Sequence, residues 1–213
     1  IIRETNDSGT PILGINLGRL GFLTALSAKD IATGLEKLWR NDFVIEARPL
    51  VEAEGQAHDQ PLCMFALNDI VITRGAVSRL IELEVSVNDK YLTCYRGDGL
   101  IFSSPTGSTA YSLSAGGPII SPGAEVFAIT PICAHALSNR AVVISSSSVV
   151  HVKLLTKAME TIIAADGQIQ ASLRAGDTVT IRRSHRVARL LNPGETSFFD
   201  TVRQKLHWRG SSV

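Results

Sequence analysis

The sequence predicts an α+β protein: a mostly antiparallel β domain preceded by the remnant of a Rossmann-like α/β domain. Three observations carry this. Ile31, Leu35, Leu38 and Trp39 recur at helical spacing near the start. From Phe43 onward that periodicity gives way to short alternating runs. Asp166-Gly167 then sits between two strand-like runs, a strong type I′ hairpin signal. The expected segments are 1–46 for the α/β remnant, 47–190 for the β domain, and 191–213 for a C-terminal helix returning to the first segment.

In order, Thr10 to Asn16 reads as a buried strand over Ile12–Asn16, after a polar loop from Glu4 to Gly9. The chain opens on Ile1 rather than Met, and a strand this early is either a lone opening strand or, equally, what a sequence shows when earlier β-α units are missing. A helix is expected from Ser27, with Ser27 and Asp30 as a capping box and Asn41-Asp42 as its stop. Leu80 to Val87 alternates, Asn88-Asp89-Lys90 turns, and Tyr91 to Tyr95 returns, which makes a hairpin. Val149 to Leu155 is another strand. Thr161 to Ala165 and Gln168 to Leu173 flank Asp166-Gly167. Asp177 to Arg183 and Val187 to Leu191 are expected as two separate strands. Asn192-Pro193-Gly194 is a loop, Thr196 an N-cap, and Phe199, Val202 and Leu206 one face of the last helix.

Composition narrows the function classes. The 213 residues can form one or two domains with a substantial core. A net charge of +1 supplies no global field for nucleic acid or an anionic membrane, so neither partner is expected. Arg182, Arg183, Arg186 and Arg189 cluster locally and are expected to form a solvated strand face. Cys63, Cys94 and Cys133 are widely spaced with no Cys-x-x-Cys pair, which argues against zinc and for a reducing compartment. No apolar run approaches the ~20 residues of a spanning helix. A cytoplasmic location is expected.

The chemically informative stretch runs from Arg96 to Pro118. Leu100 to Ser103 reads as a buried strand and Pro105-Thr106-Gly107 as a turn. Ser108 or Thr109 would cap a short helix ending at Gly116-Gly117. Such a helix start, rich in free N–H groups and hydroxyls, suits a phosphate, a ribose or an adenine edge. One cap needs one hydroxyl, so the surplus points to a ligand.

Asp98-Gly99, then Thr106-Gly107-Ser108-Thr109-Ala110-Tyr111-Ser112 and Gly116-Gly117-Pro118, resembles the signature of bacterial NAD kinases. Gly14 to Leu23 is similar to that family's Gly-rich crossing. Asn68-Asp69 stands where the family carries an Asn-Glu/Asp pair, and His135-Ala136-Leu137 and Asp166-Gly167 match as well. The resemblance runs in order along nearly the whole chain, and the β domain would be of the NAD kinase C-terminal type.

That resemblance implies transfer of phosphate from ATP, with Mg²⁺ or another divalent metal, or from polyphosphate, to the 2′-hydroxyl of the adenosine ribose of NAD. It places Asn68 and Asp69 on ribose hydroxyls or the neighbouring part of NAD. Thr106, Thr109 and Ala110 would face adenine and phosphate, Tyr111 a base, and Ser114 the dinucleotide. Asp98 and Asp166 would hold the nicotinamide end, lined by His135, Ala136 and Leu137 and completed by a neighbouring subunit in a homodimer or homotetramer. Phe22 would pack on the ligand. Each also has a plainer reading: Asn68-Asp69 and Asp166 as turn residues, His135 as structural, Phe22 as core.

The family's Gly-Gly-Asp-Gly loop, whose Asp is the expected general base, has no counterpart in the sequence. No Walker-type loop replaces it. The chain is therefore expected to supply mainly the NAD-binding half, to bind weakly by itself and to turn over poorly. Two rivals follow: a non-catalytic NAD(P)-binding regulatory domain, and a lipid kinase of the diacylglycerol type. A serine hydrolase is excluded by the lack of a Gly-x-Ser-x-Gly elbow.

Overall fold

The computed structural model describes residues 9–18, 21–76, 79–157, 160–194 and 197–208. In chain order its elements are β1 (Ile15–Asn16), β2 (Leu26–Ser27), α1 (Ile31–Trp39), β3 (Val44–Ala57), β4 (Gln60–Ala66), β5 (Asp69–Arg74), β6 (Ile81–Val87), β7 (Lys90–Gly97) and β8 (Gly99–Ser103). There follow α2 (Tyr111–Ser114), β9 (Val126–Ile132), β10 (Val142–Ser145), β11 (Val150–Leu154), β12 (Thr161–Ala165), β13 (Gln168–Leu173), β14 (Thr178–Asn192) and α3 (Phe198–Lys205). They form two compact units: residues 1–48 with 187–213, and residues 49–186.

In the smaller unit, β1 and β2 pair in parallel, Ile15 opposite Leu26. Strand β1 is shorter than the expected Ile12–Asn16: Ile12 lies outside it and bridges Leu190 instead. Helix α1 begins later than expected, because Ser27 belongs to β2 and residues Ala28–Asp30 form a 3-10 turn. The Ser27 hydroxyl bonds the Asp30 carboxylate rather than a backbone N–H, so no capping box forms. The expected apolar face is not buried either. Leu35 and Trp39 are exposed, and the buried residue is Gly34, pressed on Leu26: a Cβ there would stand 2.2 Å from Leu26 Cδ1. Thr196 lies outside the described residues, and the N-cap of α3 is Ser197. Its side chain accepts from Asp200 N while Asp200 returns to Ser197 N. The Phe22 ring lies 6.3 Å from that of Phe198, so the C-terminal helix packs on the Gly-rich crossing.

The larger unit is built on two-residue turns. His58-Asp59, Asn88-Asp89 and Asp166-Gly167 all take positive φ at both positions. This is the turn whose twist matches paired strands. The turns join β3 to β4, β6 to β7, and β12 to β13, the last with Ala165 opposite Gln168. Two six-stranded sheets result, in the orders β10-β9-β8-β5-β12-β13 and β4-β3-β14-β11-β6-β7. One apolar cluster draws from both, with Ile70, Ile72, Leu100, Phe102 and Ile163 from the first and Leu83, Val85, Val152 and Ile181 from the second. The unit is thus a β-sandwich. Val71, Ile101 and Ile132 fill the outer face of the first sheet with Ala115, so β5 and β8 are covered on both sides.

One expectation is corrected in β14: the strand runs unbroken across Ser184-His185 instead of forming two pieces. Arg182, Arg183 and Arg189 are exposed, as expected of a solvated face, and the arginines carry partners as well. Arg182 bonds Glu52 at 2.8 and 3.0 Å and Glu54 at 2.8 Å, and Arg186 stands over the Phe65 ring at 4.4 Å. Burial pushes the Glu52 carboxyl up, but hydrogen bonds from Arg182 and Ser184 outweigh it and hold the group below the ordinary carboxylate range. Among the described residues no helix is long and apolar enough to cross a membrane.

Candidate functional site

Three neighbouring strands of the first sheet bring distant residues to one end. Strand β5 starts at Asp69, antiparallel β8 ends opposite it at Ser103, and β12 ends at Ala165 opposite Ile70. Asn68-Asp69, the turn after Ser103 and Asp166 therefore converge by register alone, across almost 100 residues of sequence.

The Asn68-Asp69 backbone is held from two sides. On one side the Asp166 carboxylate accepts from Leu67 N at 2.9 Å, Asn68 N at 2.7 Å and Asp69 N at 3.4 Å. On the other, Ser104 Oγ donates to Leu67 O at 2.5 Å and Ser104 N to Asn68 O at 2.9 Å. Gly107 closes the arrangement: a Cβ on it would lie 2.0 Å from Asn68 O, so only glycine lets the turn press this closely. The side chains of Asn68 and Asp69 bond no described residue; the amide is half-buried and the carboxyl buried, each without a side-chain hydrogen bond there.

The hydroxyl-rich turn differs from expectation. Residues Thr106–Thr109 form a 3-10 turn and α2 is a single turn, neither with a side-chain cap. The supposed surplus of hydroxyls is largely consumed inside the protein. Ser108 Oγ donates to Pro105 O at 2.7 Å and accepts from Ile120 N at 3.0 Å. Ser112 Oγ and Thr130 Oγ1 share a bond at 2.9 Å, and Thr109 Oγ1 donates to Thr106 O at 3.3 Å. The exception is Thr106 Oγ1, which is buried without a partner among the described residues. Thr109 and Ala110 are half-buried, while Tyr111 and Ser114 are exposed.

Electrostatics single out Asp69. Its side chain is buried, and burial, then the nearby Asp166 carboxylate, raise its pKa from 3.8 to about 6. A carboxyl there is ionised near neutrality but poorly hydrated, a good acceptor for a ligand hydroxyl.

Asp98 and the His135 segment lie at the other end of the same strands. Gly99 is opposite Thr73, and the Asp98 carboxylate accepts from Arg74 Nε at 2.7 Å. His135 N donates to Arg96 O at 2.8 Å. His135, Ala136 and Leu137 are exposed, Leu137 almost wholly. An open cleft of about 340 Å³ lies there, lined by Ala115, Gly116, Thr130, Pro131, Ala136 and Leu137 among others. The four residues from Thr73 to Asp69 span about 14 Å at the rise of a strand. One chain therefore does not bring Asp98 to Asp166. Phe22 belongs to the smaller unit, where its partner is Phe198. Sequence reasoning passed over Ser104 and Arg74. Ser104 stood in the hydroxyl-rich run, but nothing in the sequence marks Arg74. Among the described residues no group of three or more His, Cys, Asp or Glu side chains is placed to hold a metal ion.

Fold and site together define a β-sandwich domain that gathers polar side chains without hydrogen-bond partners among the described residues at one sheet end. Residues 67–192 match the family model of the ATP-NAD kinase C-terminal domain. The NAD kinase of Syntrophotalea carbinolica is 42% identical over 209 residues, covering 98% of this chain and 73% of the relative. That of Desulforamulus reducens is 47% identical over 208 residues, covering 96% and 71%. The chain belongs to the NAD kinase family, which places it among phosphotransferases. Solved structures agree in fold. Yeast NADH kinase complexed with NADH superposes with a TM-score of 0.87 at 27% identity, over 95% of this chain and 61% of that one. An NAD kinase from Archaeoglobus fulgidus in complex with ATP gives 0.77 at 28%, over 94% and 75%. The chain thus spans about three fifths of the yeast enzyme's length.

Proposed function

We propose that the protein phosphorylates the 2′-hydroxyl of the adenosine ribose of NAD, with ATP as donor, and that this chain supplies mainly the acceptor-binding half. The observation that carries the proposal is the Asn68-Asp69 pair: its backbone is clamped while its side chains bond no described residue, beside the Thr106 turn. The Asp69 carboxylate accepts from a ribose hydroxyl and the Asn68 amide fixes the sugar's orientation. Thr106 offers its unpartnered hydroxyl to the same ligand. Thr109 and Ala110 line the adenine and phosphate path, Tyr111 lays its half-exposed ring on a base, and Ser114 reaches the dinucleotide from α2. The yeast relative holding NADH and the archaeal relative holding ATP support both substrates.

Asp98, His135, Ala136 and Leu137 serve the nicotinamide end from a second subunit, since they lie about 14 Å along the strands from Asp69. A homodimer or homotetramer follows from this reading. A divalent metal such as Mg²⁺ enters as the counter-ion of ATP, and when bound it neutralises charge on the transferring phosphate. The residues described here do not form a site for it. Three free cysteines favour a reducing, cytoplasmic setting.

The test is a phosphotransfer assay on a version of the chain extended upstream to carry a Gly-Gly-Asp-Gly loop, offering NAD and a diacylglycerol side by side. NADP is the expected product, and Asn68→Ala should lower kcat/KM for NAD by about tenfold or more while leaving the melting temperature nearly unchanged. Phosphate appearing on the lipid, or full activity in Asn68→Ala, would overturn the proposal.

A further inference from the structure

We infer that Asp166 is a positioning residue: it acts on the dinucleotide only through Asn68 and Asp69, and does not itself touch the ligand. This rests on the acceptor-site reading above, and it differs from the direct nicotinamide contact that the family resemblance implies.

Three successive backbone N–H groups, of Leu67, Asn68 and Asp69, converge on the one carboxylate, at 2.9, 2.7 and 3.4 Å. Asp166 N also donates to Asp69 O at 3.0 Å. Both carboxylate oxygens are thereby occupied by the protein. Successive N–H groups turned to one anion make a strong, charge-assisted seat. The opposite carbonyls, of Leu67 and Asn68, are taken by Ser104 at 2.5 and 2.9 Å. The dipeptide has its donors fixed from one direction and its acceptors from the other, so the side chains of Asn68 and Asp69 are aimed before any ligand arrives. The carboxylate belongs to the tip of the β12–β13 hairpin. The type I′ turn alone does not require Asp, because φ is positive at Asp166 and Gly167 and Asn-Gly satisfies the same geometry.

Asp166→Asn therefore separates the two roles. Asparagine keeps the turn and nearly the shape, but one oxygen becomes an NH₂ facing an N–H, and the clamp opens. The expected result is a rise in the NAD dissociation constant of about tenfold, measured by titration calorimetry. Hydrogen exchange should quicken at the amides of Leu67, Asn68 and Asp69 and stay unchanged in the remaining strands. Combined with Asn68→Ala, the loss should be smaller than the product of the two single losses, since part of the Asp166 effect runs through Asn68. The acid limb of NAD binding should also move to lower pH, since the Asp166 charge that opposes ionisation of Asp69 is gone.

Unchanged NAD affinity in Asp166→Asn, or losses that multiply in the double variant, would overturn the inference; the latter would mark an independent ligand contact. Failure of the wild type to bind NAD would refute the acceptor-site reading instead. The exchange measurement would then decide the clamp alone, with retained protection at residues 67–69 refuting it.

Discussion

Asp69 is ionised at a cost to the fold, and Asp69→Asn should expose that cost. The carboxyl titrates near 6 in the folded chain against an ordinary 3.8, because burial and then Asp166 disfavour its charge. The difference corresponds to about 3 kcal/mol. Its sign follows from proton uptake: between the two values the folded state binds more protons than the unfolded state. The contribution to stability is complete below pH 3.8 and is lost as pH rises through 6. At pH 7.5 the wild type carries a poorly solvated charge that the amide variant lacks. Asp69→Asn should therefore be more stable by about 1–3 kcal/mol at pH 7.5, the lower figure allowing for an imperfectly partnered amide. For a chain of this size each kcal/mol moves the melting temperature by about 2–4 °C. Thermal unfolding of both proteins at pH 7.5 and pH 4 measures it, and the advantage should vanish at the lower pH. NAD affinity should fall in the same variant, since the site would lose its charged acceptor. A variant no more stable than wild type at pH 7.5, or one whose advantage persists at pH 4, would refute the account of Asp69.

Gly107→Ala places a methyl 2.0 Å from Asn68 O, so the turn must move. A loss of about 2–3 kcal/mol in urea unfolding, with NAD binding abolished, is expected. Thr106→Val removes a buried hydroxyl that has no partner among the described residues. The ligand-free protein should gain about 1 kcal/mol while NAD affinity drops, read by melting with and without NAD. A gain without loss of affinity would show that Thr106 does not meet the ligand.

Much of this protein was legible in its sequence because local chemistry specifies it. Asn88-Asp89 and Asp166-Gly167 announce their hairpins, since few residues tolerate positive φ at two consecutive positions. Alternation marks β6 because one face is buried while the other is not. Strand β5 was harder: apolar matter covers both its faces, so it carries no alternation, and the sequence reading marked no strand over Asp69–Arg74, whereas β8 was visible as the buried run Leu100 to Ser103. Helix α1 misled in the opposite direction, since its periodic face of Leu35 and Trp39 is exposed in the described structure.

The candidate site divides the same way. Its residue types were visible as motifs: Asn68-Asp69, the Thr106 to Ser114 run, Asp98, His135 and Asp166. What each does depends on strand register, which no local pattern encodes. Register sets Asp69 opposite Ser103 and Ala165 opposite Ile70, and so delivers Asp166 to the backbone of Asn68. The same register carries Asp98 to the far end. By itself the sequence determined the fold class, the hairpins at Asn88-Asp89 and Asp166-Gly167, and the residue types proposed for the site. Only the tertiary structure decided which hydroxyls are spent inside the protein, which carboxylate is clamped and which bonds no described residue. Hydrogen bonds between residues about 100 positions apart exist only once the sheet has formed.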